Sequence, residues 1–147
     1  SSKGKVIVID NLFQGNKLKL NKNIKLVGKV NEEEKVSLLE ISDLHIMPTI
    51  LDKRLSSVEG FGMSYIEAGI YNTPSISSGL GGTKESVKNK STGLICNPES
   101  VNSIKNSILK IVDNKNYHKK ISLNAKKFSQ NFLWKNNIQN YLNLIKK

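Results

Sequence analysis

The sequence predicts an α/β fold, a Rossmann-like doubly wound parallel sheet. Three observations point there. Short β-branched runs alternate with helical stretches, two glycine-rich turns each follow a strand, and everything after Pro98 has helical periodicity. Strands separated by helices must be joined by crossovers, which makes the sheet mainly parallel. In such sheets ligands bind beyond the carboxyl ends of the strands, so both glycine-rich turns are expected on the binding edge.

The elements follow in order. Lys5 to Ile9 (KVIVI) and Ile24 to Val27 (IKLV), bounded by glycine and asparagine, read as strands buried on both faces. Asn31 can cap a helix from Glu32 to Ile41, whose first-turn carboxylates suit the helix dipole. Leu44 to Met47 returns as a strand ended by Pro48. Thr49 to Val58 reads as loop, Gly60 to Ala68 as the opening of a helix and Pro74 to Ser78 as a strand. The turn Gly79-Leu80-Gly81-Gly82 leads into a short helix near Thr83 to Lys88, and Leu94 to Cys96 is the last strand. Beyond it, apolar residues recur at helical spacing through Ile104, Ile108 and Ile111, through Ile121, Ala125 and Phe128, and through a C-terminal helix within 131–147.

At 147 residues, with 37% hydrophobic and 24% charged residues and three prolines, the chain has the length of one ordinary folded domain. It is expected to be a single domain over 1–147. No run approaches the roughly 20 apolar residues that span a bilayer, and the start shows no cleavable signal pattern. The lone cysteine, Cys96, sits in an apolar run and reads as a small buried hydrophobe, in keeping with a cytoplasmic protein. The net charge of +11 is nearly all lysine. AT-rich coding alone would produce such a bias; a phosphate-bearing ligand or an anionic membrane on the inner face of the cytoplasmic membrane are the other readings. Nucleic acid is not expected as a partner, because no binding motif is present and the aromatics are not interleaved with the basic residues.

The chemistry concentrates in Glu59-Gly60-Phe61-Gly62-Met63-Ser64-Tyr65-Ile66-Glu67. Two glycines flank a loop-to-helix junction, where bare backbone lets a ligand approach closely. Free N–H groups at a helix start, backed by the dipole, suit a pyrophosphate. Glu67 follows about 10 Å along at ~1.5 Å rise per residue, the reach from a pyrophosphate to its ribose. A carboxylate there can accept both ribose hydroxyls, and Glu59 can accept hydroxyls of a transferred sugar. On spacing alone, the alternative stays open that Glu59 is a solvated residue and Glu67 a helix carboxylate favoured by the dipole.

From Ile24 onward the chain resembles the C-terminal domain of glycosyltransferase family 4, retaining enzymes of the two-domain GT-B fold. The resemblance rests on Leu26-Val27-Gly28-Lys29-Val30, Ser42-Asp43-Leu44, Glu59-Gly60-Phe61-Gly62 with Glu67-Ala68, Pro74-Ser75-Ile76, Gly81-Gly82-Thr83-Lys84-Glu85, Thr92-Gly93-Leu94-Ile95 and Phe132-Leu133-Trp134. The glutamates eight positions apart match the family's E-x7-E motif. The resemblance implies that Glu59 contacts the donor sugar as the catalytic-site carboxylate, and that Glu67 binds the nucleotide ribose. It implies further that backbone from Phe61 through Gly62 and Met63 to Ser64 holds the diphosphate and that Gly81 and Gly82 help close the pocket.

The implied reaction moves a hexosyl group from a nucleoside-diphosphate sugar, UDP- or GDP-linked, to a glycan or lipid-linked acceptor in cell-surface polysaccharide or glycolipid synthesis. No cofactor or metal is expected. The loop Pro48 to Val58, with Lys53 and Arg54, is similar in length to that of the phosphatidylinositol mannosyltransferase branch, a hint toward GDP-mannose. Two departures stand out. No Gly-Arg…Lys element precedes Lys5, and Val8-Ile9-Asp10-Asn11 replaces the usual Gly-Asp-Gly turn. The N-terminal GT-B domain, which carries the acceptor site, is not represented, so the chain reads as a fragment or one of two pieces with an incomplete active site. A non-catalytic nucleotide-sugar-binding module and a basic membrane-surface adaptor are the alternatives.

His45 alternates with Leu44 and Ile46 and is expected to be a hydrogen-bonded sheet residue; His118 reads as a helix-surface residue. Trp134 and Tyr141 are expected to anchor the last helix by packing, and by resemblance that helix returns toward the N-terminal domain.

Overall fold

The computed structural model of the chain describes residues 4–8, 23–51 and 58–145, the side chains of 139 and 140 excepted. Ile9 to Asn11, Lys53, Arg54, Lys146 and Lys147 lie outside the described residues. The chain divides into two compact units, Ser1–Leu38 and Leu39–Lys147.

In the first unit β1 (Val6–Val8) pairs in parallel with β2 (Ile24–Leu26), Val6 opposite Ile24. Helix α1 (Glu32–Glu40) starts as the sequence leads one to expect. The Asn31 Oδ1 accepts from the Glu34 N–H at 2.8 Å, and the Glu34 carboxylate accepts from the Asn31 N–H at 3.0 Å. This reciprocal box satisfies two backbone donors that a helix start otherwise leaves open.

In the second unit three parallel strands run in the order β3 (His45–Met47), β4 (Ser75–Ser77), β5 (Gly93–Ile95). Helix α2 (Met63–Ile70) crosses from β3 to β4, and α3 (Thr83–Ser86) from β4 to β5. Three helices follow: α4 (Val101–Val112), α5 (Lys115–Gln130) and α6 (Trp134–Ile145). Side chains alternate across a strand, so the central strand β4 divides its residues between two covered faces, and all three are buried. Ile76 joins Leu94, Cys96, Ile111 and Ile121 in the apolar core, with Leu44, Ile104, Ile108 and Tyr117 packed against it. Ser75 lies on the other face, where its hydroxyl meets His45 Nδ1 at 3.1 Å and His45 stands edge-on to the Tyr65 ring. Cys96 is a buried core residue, as its surroundings in the sequence suggest.

Helix α5 serves both layers, placing Ile121 in the core and its later turns against α2. A Cβ on Gly69 would collide with the Ser129 hydroxyl, so these helices pack at a distance only glycine permits. Ser100 and Asn114 cap α4 and α5 by accepting from Ser103 N (3.2 Å) and Tyr117 N (2.9 Å). Among the described residues no helix is long and apolar enough to cross a membrane.

Two differences from expectation have physical reasons. Helix α2 begins at Met63 rather than Gly60, because Gly62 adopts φ 76°, a left-handed conformation that no right-handed helix accommodates. Helix α3 ends at Ser86 because Val87 is extended, at φ −122°. A third concerns Trp134 and Tyr141, which do not anchor α6 in a core. They are 68% and 56% exposed and stack on each other at 5.8 Å, a local pair along one helix. His118 is partly buried and its Nε2 meets the Asp43 carbonyl oxygen at 2.7 Å.

Burial lowers the His45 pKa from 6.5 to about 4. Unfolded chain therefore takes up a proton that folded chain resists, so the stability from neutral His45 is complete above pH ~6.5 and is lost as pH falls toward ~4. Thermal unfolding followed from pH 7.5 to 4 should show that loss, at most about 3 kcal/mol, and it should flatten in His45→Gln.

Candidate functional site

The carboxyl ends of β3, β4 and β5 face one edge, and the segments leaving them build a junction there. Its first part is the start of α2. Tyr65, on the buried side of the helix, donates its hydroxyl to the Met47 carbonyl at the end of β3, and the Ser64 hydroxyl lies 3.6 Å from Met47 Sδ. Burial raises the Tyr65 pKa, which keeps the phenol a donor. The Tyr65 ring also fills the space a Cβ on Gly62 would need. One side chain thus fixes both the position of α2 against the sheet and the identity of residue 62.

Unlike α1, α4 and α5, helix α2 has no side-chain cap. The Tyr65 N–H returns to the Gly62 carbonyl at 3.0 Å, whereas the Met63 and Ser64 N–H groups find no acceptor among the described residues. These are free donors at the positive end of a helix dipole, the arrangement an anion satisfies. Gly60 is exposed, with nothing within 4 Å of where a Cβ would stand, so the approach is open.

The second part is the turn after β4. Ser77 Oγ accepts from Gly79 N at 3.1 Å and Thr83 Oγ1 donates to the Leu80 carbonyl at 2.7 Å, which folds residues 79–83 tightly. This turn lies directly on the first. A Cβ on Gly81 would strike the Glu59 carbonyl oxygen and one on Gly82 the Gly60 carbonyl oxygen. Gly81 also has φ 57°. The structure therefore brings Glu59, Gly60, Gly81 and Gly82 together backbone against backbone, a contact that spacing in the sequence does not reveal.

Side-chain burial sorts the rest of the segment. Tyr65, Ile66, Ala68 and Gly69 are buried, while Met63 is 58% exposed and Ser64 and Glu67 are partly exposed. Met63 and Glu67, four residues apart, share the face of α2 that the core does not take. Glu59 is partly exposed. Phe61 packs instead: its half-buried ring lies 5.4 Å from Phe132, which meets Phe128 at 5.1 Å. Sequence reasoning missed Tyr65 and Ser77 as the groups that hold the two loops. A tyrosine three residues after the helix-opening glycine was the one available sign.

Two crevices lie elsewhere. One, between β4 and the α2–α5 pair, has no room for a water, and the other is a groove of about 260 Å³ along α4. Neither involves Glu59 or Glu67.

A parallel sheet flanked by helices, with glycine turns at the carboxyl ends of its strands, is Rossmann-like, and its structural neighbours are GT-B glycosyltransferases. The Anabaena protein HepE, solved in complex with UDP-glucose, superposes with a TM-score of 0.77 at 20% identity, over 97% of this chain and 41% of that one. Residues 13–128 match the family Glycosyl transferases group 1, and the chain belongs to that family. An uncharacterized glycosyltransferase of Methanocaldococcus jannaschii is 30% identical over 112 residues, covering 76% of this chain. A GDP-mannose-dependent monoacylated alpha-(1-6)-phosphatidylinositol monomannoside mannosyltransferase of Corynebacterium glutamicum is 27% identical over 94 residues, covering 64% of this chain and 24% of that protein. The chain spans about 30% of the length of the Methanocaldococcus relative.

The Gly82 contact can be tested directly. Gly82→Ala should shift the Gly60 carbonyl and cost about 1–3 kcal/mol of stability, read as a lower Tm. Gly60→Ala, placed in open space, should leave Tm within about 0.5 kcal/mol equivalent.

Proposed function

We propose that residues 1–147 form the donor-binding domain of a retaining glycosyltransferase. It would transfer a hexosyl group from a nucleoside-diphosphate sugar to a glycan or lipid-linked acceptor. The observation that carries this reading is the uncapped start of α2, whose Met63 and Ser64 amides have no acceptor among the described residues, beside an exposed Gly60 and with the partly exposed Glu67 one turn further on.

In this reading the diphosphate sits against backbone from Phe61 to Ser64, Glu67 accepts the ribose hydroxyls, and Glu59 accepts hydroxyls of the sugar being transferred. Gly81 and Gly82 hold the Glu59–Gly60 backbone in register with the helix start. As the bond between the anomeric carbon and the phosphate oxygen breaks, negative charge grows on the departing diphosphate. Preorganised N–H donors and the helix dipole stabilise that charge without rearranging, which lowers the barrier. A junction open on one side also needs a second wall. The exposed apolar residues of α6, among them Trp134, Tyr141, Leu142 and Ile145, suit packing against an N-terminal domain that would supply it along with the acceptor site.

The donor base stands between two options. HepE is described in complex with UDP-glucose and the Corynebacterium relative as GDP-mannose-dependent. Calorimetric titration of the full-length protein with UDP-, GDP- and ADP-sugars should single out one base. With that donor, Glu67→Ala should weaken binding by roughly 10- to 100-fold, the loss of a paired hydrogen bond to a carboxylate. Glu59→Gln should lower kcat by at least about tenfold with little effect on free nucleoside-diphosphate affinity. Unchanged donor affinity in Glu67→Ala would refute the ribose assignment.

A further inference from the structure

The net charge of the chain is not evenly distributed. Residues 1–100 hold thirteen basic and eleven acidic residues, whereas residues 101–147 hold ten lysines and a single carboxylate, Asp113. A compositional bias in coding would enrich lysine everywhere and has no reason to remove acids from one third of the chain.

Helix α5 concentrates this charge. At 100° per residue Lys115, Lys119, Leu123 and Lys126 fall along one line, with Lys120 and Lys127 beside it. All six side chains are exposed, Leu123 by 57%, and the line runs about 18 Å from Lys115 to Lys127 at ~1.5 Å per residue. The helix has no acidic residue, and none of its lysines pairs with a carboxylate among the described residues. Lys115 stands in the first turn, where the helix dipole disfavours a cation, so its placement does not serve helix stability.

The neighbouring helix adds an apolar margin. Helix α4 packs against α5 and leaves Val101 and Leu109 exposed, at 80% and 42%, along the groove that also holds Lys105, with Val112 46% exposed at the end of the helix. Unpaired lysines around exposed aliphatic side chains match a surface of anionic headgroups over acyl chains. Single-stranded nucleic acid asks for aromatic stacking platforms, and the exposed face of α5 carries no aromatic ring.

We propose that the lysine face of α5, flanked by the exposed aliphatic residues of α4, docks the protein on an anionic lipid bilayer. Each lysine near such a surface adds favourable interaction that salt screens, so the attachment is reversible and peripheral. The donor junction at α2 plays no part in it.

Co-sedimentation with vesicles tests this. The full chain should bind vesicles containing roughly one part in three phosphatidylglycerol in phosphatidylcholine, release them between about 0.05 and 0.5 M salt, and ignore phosphatidylcholine alone. The triple variant Lys119→Gln/Lys126→Gln/Lys127→Gln should lose on the order of 100-fold in partitioning. A control of equal net charge, Lys5→Gln/Lys25→Gln/Lys29→Gln, should lose less than about threefold. Circular dichroism should show both variants folded like the parent. Equal losses in the two triples, or equal binding to neutral vesicles, would overturn the proposal. So would capture by a single-stranded RNA homopolymer that depends on α5 while anionic vesicles stay unbound.

Discussion

Everything at the candidate site depends on a contact between two stretches of bare backbone. The turn after β4 rests on the loop before α2 with Gly81 over the Glu59 carbonyl and Gly82 over the Gly60 carbonyl. Neither position has room for a Cβ, and main chain touching main chain leaves little freedom to adjust. Interiors respond to misfit as packed solids do, by moving neighbours rather than absorbing the strain. The placement of Glu59, of the exposed Gly60 and of the start of α2 is therefore set jointly by two strands that are thirty residues apart in sequence and adjacent in the sheet.

The same segment shows how a small fold divides its helices between stability and recognition. Helices α1, α4 and α5 end their N-terminal donors in Asn or Ser caps, closing them to ligands. Helix α2 opens with a left-handed glycine and keeps two donors without an acceptor among the described residues. The stability a cap would have contributed, about 1 kcal/mol, is forgone there. The Tyr65 hydroxyl on Met47 and the close α2–α5 packing at Gly69 hold that helix instead. An anion at those donors would stabilise a helix end that no described residue satisfies.

Charge is divided too. The first hundred residues are close to balanced, while α4, α5 and α6 are almost free of carboxylates. The lysines of α5 are exposed and pair with no carboxylate among the described residues, so they contribute little to the fold. The exposed rings of α6 stack on each other rather than on a core, which leaves that helix with an apolar surface to share.

The sequence by itself determined the α/β class, the order of the described strands and helices and the cap at Asn31, because periodicity and capping are local properties of neighbouring residues. It also marked Glu59, Glu67 and the glycine turns as the segment to watch, since glycine at a loop-to-helix junction is a local choice. Tertiary structure alone decided that the two glycine turns touch, that Tyr65 closes over Gly62 and that α2 starts three residues later than its pattern suggests. It also decided that Trp134 and Tyr141 stay outside. These depend on which strands lie side by side and on which surface another element covers. A helical period marks an apolar face, but only packing tells whether anything is there to bury it.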